Sequence, residues 1–518
     1  MATVRSVIAL ALASLTILSL ASAGVSAETQ PAAPLPPDGR IEKMEQEIRQ
    51  LKESLREKDR QIEQLFEHVR KIQAAGPPAT QPAAAETPAQ QLRRVEQDIL
   101  KEMLDEIASG KKKDGAILSY KSGGADFRLT DLSAIFNSAA GTSTARDEHL
   151  STLQGGGHDP RRRGFTFQQM ELSIGGAVDP YFDAEAHIVA SEHGLELEEA
   201  FATTKRLGGA AQIEAGYFLT EFGRINPTHP HSWDFLDQPV IATRMFGGEG
   251  MRGPGVRVGQ LLPVPWFSEV HLGAQNATGE FMTSFRGEPH EHGHDHEDED
   301  EHETTIGGRP VVDRQTRSLR DLAYLARWVN GFDLSKTVSA QAGASVLYGP
   351  NRTGSRGDTW IYGADWVVKW RPTTHRRGWP HVVWQSEVMA RDFRADRHTH
   401  VHDDGTVETL SGDRLHDWGL YTQVLYGFME NWDVGARYEF ATGSGSSLHD
   451  GVPVGRKSDT LRNDRQRTSL LLMYRPTEYT KLRLQYNYDQ ADHLDGGDDH
   501  SVWLGLEVLI GSHPAHNY

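Results

Sequence analysis

From about Phe127 onward, apolar and polar residues alternate with a period of two, as in extended chain with one face against an apolar phase and the other against water. In "KLRLQYNYD", Leu482, Leu484, Tyr486 and Tyr488 take one face while Arg483, Gln485, Asn487 and Asp489 take the other. In "TWIYGADWVVKW", Trp360, Tyr362, Ala364, Trp366, Val368 and Trp370 share a face, and the second face includes Asp365 and Lys369. Such segments are joined alternately by short turns ("VDPY", "DLSKT", "MENW") and by long polar connections. The pattern predicts sixteen strands, near 127–137, 163–178, 181–191, 195–206, 211–222, 254–262, 266–277, 318–332, 337–348, 359–371, 381–392, 416–429, 433–441, 466–475, 481–489 and 501–511. A soluble sandwich also alternates, but its strands are shorter and it lacks bands of Trp and Tyr near strand ends. The expected fold is therefore all-β, a transmembrane antiparallel β-barrel of about 16 strands filling residues 125–518. An even count puts both ends of the barrel on one side, and the long loops on the other.

Before the barrel the period changes. Ile41, Ile48, Leu55, Ile62 and Val69 fall seven apart, with Met44, Leu51, Leu65 and Ile72 at the complementary positions and Lys58 as the one miss. This a/d pattern predicts an α-helical coiled coil over 41–73, and its mixed seam leaves dimer or trimer open. Pro/Ala linkers flank it at 28–40 and 74–90, and an amphipathic helix carrying Leu92, Val95, Ile99, Met103 and Ile107 is expected over 91–109. Arg5, the apolar run Val7 to Leu20 and the small residues before Ala27 read as a signal peptide over 1–27. A spanning helix competes, but the run is shorter than the roughly 20 apolar residues that crossing requires.

Composition narrows the compartment and the chemistry. An exported chain with no cysteine suits a bacterial envelope, and it excludes thiolate metal sites and cysteine nucleophiles. A formal charge of -18 argues against nucleic-acid partners. Neither a Ser/His/Asp set nor a paired-carboxylate pocket of useful specificity is present, so no enzymatic activity is expected. The expected location is the bacterial outer membrane, multi-pass and in contact with its lipid, with the coiled coil in the periplasm and able to reach the cell wall.

Histidine is the chemistry that stands out. "EPHEHGHDHEDEDEHE", residues 288 to 303, holds five histidines and nine carboxylates and nothing that builds a core. It falls in the long connection between the seventh and eighth strands, so His290, His292, His294, His296 and His302 are expected outside the cell, with His398, His400 and His402 of "HTHVHDD" beside them. Imidazole next to carboxylate suits zinc or another divalent cation, held without fixed geometry, although no cofactor is required. A solvated acidic loop is the competing reading. "FGRINPTHPHSWDFLDQP", 222 to 239, is the candidate for a formed metal site: His229 and His231 flank Pro230, with Asp234 and Asp237 in sequence reach. With Trp233, Phe235 and Phe246, this connection is expected to pack inward and narrow the lumen.

Taking each strand's polar face as inward, the expected pore lining includes Asp183, Glu185, Glu196, Glu198, Glu214, Arg257, Glu269, Arg327, Asp365, Glu387, Arg391, Arg437, Glu439 and Arg483. Its negative excess predicts a mild preference for cations, unless the charges pair within the wall. The layout, with "YFDAEAHI" and "EAGYFLTEFGR" as its more specific stretches, resembles the phosphate-selective porin O/P family, which implies a trimeric, water-filled pore. That family's ladder of inward Arg and Lys is missing here. "FGRINPTHPHSWDF" also resembles outer-membrane proteins linked to zinc supply and labelled TonB-dependent receptors, but those receptors need 22 strands and a folded plug. The expected function is a porin-like channel for small solutes or ions whose outer loops capture metal. A structural tether from outer membrane to cell wall, or a receptor of the TonB-dependent kind, is the alternative.

Overall fold

The computed structural model of the chain describes residues 118–512, apart from 123–124, 193, 206, 288–305, 313–314, 402–406, 450–451 and 495. The signal peptide, both linkers, the heptad segment, the amphipathic helix and the His/acidic run lie outside the described residues. The barrel strands are β1 Ala125–Ser143, β2 Gly164–Ala177, β3 Phe182–Ser191, β4 Gly194–Thr204, β5 Ala211–Leu219, β6 Arg252–Leu261, β7 Phe267–Asn276 and β8 Leu322–Ser335. They continue as β9 Val338–Pro350, β10 Asp358–Trp370, β11 His381–Ala395, β12 Asp413–Met429, β13 Trp432–Ser444, β14 Arg465–Thr477, β15 Thr480–Ala491 and β16 Asp498–Ser512. Each pairs antiparallel with its neighbour in sequence, and β1 pairs with β16, from Leu132↔Ser512 to Ser143↔Ser501, to close the ring. A short strand, Leu118–Ser122, folds back on the start of β1. All sixteen expected strands are present, although β1 runs on to Ser143. Residues 398–401, expected as loop, instead pair with Val407–Leu410 as a separate hairpin.

Exposure along β14 shows why the alternating sequence takes this form. Leu470 and Leu472 are 53% and 37% exposed, while Arg467 and Ser469, which precede them on the opposite face, are 1% and 0%. Apolar side chains face outward and polar ones inward, the inverse of a soluble protein and the requirement for a barrel wall in lipid. Aromatic pairs mark both rims: Trp432–Tyr474 at 4.5 Å near the short turns, and Tyr348–Trp360 at 4.4 Å near the long loops. The turn between β12 and β13 is tight, with Asn431 at φ 70°.

Two short helices lie in the long connections, α1 Asp147–Leu153 and α2 Val240–Phe246. The β5–β6 connection, 220–251, carries α2 and folds into the barrel, as its aromatic content predicted. Phe222, Ile225, Val240, Ile241, Met245 and Phe246 are all buried there against Leu347, Ile361, Met389 and Tyr421 of the wall. On this side the inward face is therefore apolar where the loop sits, and burying each such side chain contributes about 1.5–3 kcal/mol. A buried loop must also satisfy its backbone, and wall side chains supply the acceptors. Ile225 N–H donates to Glu387 Oε1 (2.8 Å), Leu236 N–H to Gln485 Oε1 (2.8 Å) and Val240 N–H to Glu439 Oε2 (2.6 Å).

Candidate functional site: a histidine and glutamate cluster in the lumen

Where the inward loop leaves the wall, its histidines meet carboxylates of β2 and β4. Pro230 opens a single 3-10 turn, Pro230–Ser232, that holds His229 and His231 on either side with rings stacked 5.6 Å apart. His229 Nδ1 lies 2.9 Å from Glu198 Oε2, and its Nε2 lies 2.8 Å from Glu199 Oε2. Two neighbours in a strand normally face opposite ways. Here the β3–β4 register shifts between His187 and Ile188, which pair with Glu199 and Leu197, so Glu198 is an extra residue and both carboxylates turn inward.

Glu171 of β2 completes the cluster from a fully buried position. Its Oε2 lies 2.8 Å from His231 Nδ1 and 3.4 Å from His229 Nδ1, while Oε1 lies 3.2 Å from His187 Nδ1 and accepts from Ser173 Oγ at 2.9 Å. The His187 and His229 rings are 4.5 Å apart. With acceptors at both nitrogens, His229 is held as imidazolium. Burial pulls its pKa down, but Glu171 and Glu198 outweigh that and hold it well above the ordinary range. A second pair lies nearby: His158 Nε2 is 2.9 Å from Glu249 Oε2, tying the β1–β2 connection to the inward loop. Burial lowers His158, yet Glu249 raises it overall to about 9. Glu249 is itself raised by burial and brought down to about 2, chiefly by His158.

The expected partners Asp234 and Asp237 are not brought to these histidines. After the turn the chain leaves in extended form at Trp233, and Asp237 lands, fully buried, between Arg437 and Arg467, also accepting from Gln485 and Asn487 at 2.8 Å each. Asp234 lines a cavity of ≈ 150 Å³ with Arg224, Trp233, Gln385, Gln423 and Arg437. His398 is half-buried in its hairpin, away from the cluster's strands. The backbone of His400 belongs to the same hairpin, whereas His290, His292, His294, His296, His302 and His402 lie outside the described residues.

All fourteen expected lining residues have partners. Arg327 pairs with Asp365 (2.8 Å), Arg391 with Asp417 (2.7 Å), Arg483 with Glu507 (2.9 Å), Arg257 with Glu214 (2.8 Å) and Arg437 with Glu439 (2.8 Å). Asp183 meets Lys205, Glu196 meets Arg252, Glu185 and Glu269 meet His187 and His271, and Glu198 meets His229. Glu387 accepts from Tyr421 Oη (2.6 Å). The wall's formal negative excess is thus largely taken up by internal pairing. Sequence reasoning missed Glu171, His187 and Glu199. The doubled glutamate in "LELEEA", which breaks the alternation, was the signal for the last.

No family model matches the chain. An uncharacterized protein of Aquifex aeolicus is 28% identical over 413 residues, 75% of this chain and 80% of that one. Among solved structures, the outer membrane channel DcaP of Acinetobacter baumannii is 14% identical, covering 76% of this chain and 99% of its own, with a TM-score of 0.46. OmpT of Vibrio cholerae is 8% identical (76% and 100% covered, TM-score 0.41) and OprB of Pseudomonas putida 12% (80% and 97% covered, TM-score 0.41). Likeness at this level carries no argument about activity, which has to come from the barrel itself.

Proposed function

We propose that the chain is an outer-membrane channel for small solutes or ions, narrowed by its β5–β6 connection, with the His/acidic run at 288–303 gathering divalent metal at the outer mouth. The observation that carries the reading is the closed ring whose outer face is apolar and rimmed by aromatics while its inner face is polar and charged. That is the arrangement of a wall with lipid outside and water within. On this reading the outward leucines contact lipid, the barrel sits in the outer membrane, and oligomerisation, a trimer on the porin resemblance, extends the same face. The run's contribution rests on its composition alone: alternating imidazole and carboxylate recruits zinc-like ions without fixed geometry.

One feature favours a second reading, the tether. The inward loop is seated on an apolar wall and the lining charges are paired, which leaves a cavity of ≈ 150 Å³ beside the loop. Planar-bilayer conductance of the purified chain, with and without micromolar zinc, separates the two. Ohmic current with a cation preference, altered by the metal, supports the channel, whereas a silent bilayer transfers the reading to the tether.

A further inference from the structure

The geometry points to a divalent-metal site inside the barrel, formed by Glu171, His187 and His229 with Glu198 alongside, that staples the inward loop to the wall. Ligand atoms of Glu171, His187 and His229 all lie within 4.8 Å of one another, and all three residues are buried. Two imidazole nitrogens and one or two carboxylate oxygens form a donor set suited to zinc and its neighbours among borderline ions.

Other buried carboxylates of the loop and the wall set this cluster apart. Asp237, Asp365, Asp417 and Glu507 are each held by an arginine, a permanent cation that no metal displaces. Among the described residues, every ion-pair partner of Glu171 is a histidine, from three separate positions: His187, His229 and His231. Imidazole can serve the same carboxylate either as a protonated partner or as a co-ligand, and in the second case the metal takes the place between them. The supports are also rigid. His187 faces Ser173 across the β2–β3 ladder and Glu199 across β3–β4, so its ring is placed by the sheet. His229 is placed by the Pro230 turn, and Leu219 N–H donates to Glu199 Oε1 (2.6 Å) to fix the strand end from which the loop departs. Sites on strands and braced turns keep ligands in register better than loops do.

The inference deepens the channel reading and rests on it only for the route by which the ion arrives, so the two can fail separately. The test uses the full chain in detergent with residues 288–303 deleted, which removes the loose outer tract as a competing binder. After chelator treatment, zinc chloride is titrated calorimetrically, and one equivalent is expected to bind. His187→Gln and Glu171→Gln, checked for retained strand content, are each expected to weaken binding by more than about tenfold. Absence of stoichiometric binding, or binding unchanged in both variants, overturns the site. Should the variants not fold, the parent chain loaded with cobalt decides: visible bands of low-symmetry nitrogen and oxygen ligation uphold the site, and a hexa-aqua spectrum overturns it. A chain that conducts without binding zinc loses the site and keeps the channel, and a chain that binds zinc without conducting does the reverse.

Discussion

Phe222 rests on Gly363: a β-carbon built on that glycine of β10 would stand 2.6 Å from the ring's Cε1 and Cζ. The glycine is a socket in the wall, and the fully buried ring that fills it fastens the first residues of the inward loop. A Gly363→Val change therefore overpacks the seat, costing about 1–3 kcal/mol. Loosening the loop should raise single-channel conductance above the parent value. Unchanged conductance with lowered thermal stability would show that the loop does not set the passage.

Asp237 joins the loop to two wall arginines, Arg437 and Arg467. Asp237→Ala leaves Arg437 with Glu439 and Arg467 with Asp489 as their carboxylates but strips a buried acceptor from both arginines, Gln485 and Asn487, a loss of about 1–3 kcal/mol. Asp237→Asn, which keeps the contacts with Gln485 and Asn487 within reach, should fall between that variant and the parent. The temperature at which the folded barrel loses its fast migration in detergent gels measures both, and a parent-like value for the alanine variant would refute the role.

The His158–Glu249 pair makes stability depend on pH. His158 is raised from 6.5 to about 9, so its contribution is complete below pH 6.5 and lost as pH rises through about 9. Glu249 is lowered from 4.5 to about 2, so its contribution is present above 4.5 and lost as pH falls through about 2. The tie between the two connections is thus strongest from about pH 4.5 to 6.5. In thermal melts, the gap between the parent and His158→Gln should close as pH climbs from 7 to about 10, and a constant gap would exclude the pair as its source.

Leu470 tests the outward face. An arginine there faces lipid near mid-strand and should destabilise the barrel in vesicles by about 2–4 kcal/mol, against about 0–1 for Gln466→Arg near the rim. Equal effects at the two positions would mean that this face does not meet a bilayer.

How much of this was legible beforehand depends on period. Strands such as β15, whose outward Leu482, Leu484 and Tyr486 alternate with inward Arg483, Gln485 and Asn487, are readable from the sequence, as is the inward turn of a connection rich in Phe, Trp and Pro. The cluster was only half legible. His229 and His231 announce themselves around Pro230, but their carboxylates come from strands earlier in the chain. One of these, Glu199, faces inward only because a bulge shifts the alternation by one. Asp234 and Asp237 were the natural guesses because they are near in sequence, yet an extended step at Trp233 carries Asp237 to arginines on the far strands and Asp234 to the edge of a cavity. The inward apolar positions Ile361 and Leu347 were likewise unreadable, because what they face is a loop and not water.

The seam between β1 and β16 also governs assembly. Its two halves are made at opposite ends of the barrel's stretch of chain, so both raw strand edges stay open until the final strand arrives. The inward loop has to find its seat before or during that zipping, since afterwards the wall is continuous. Premature truncation ahead of Asp498 should accordingly yield a sticky, uninserted polypeptide and never a leaky pore.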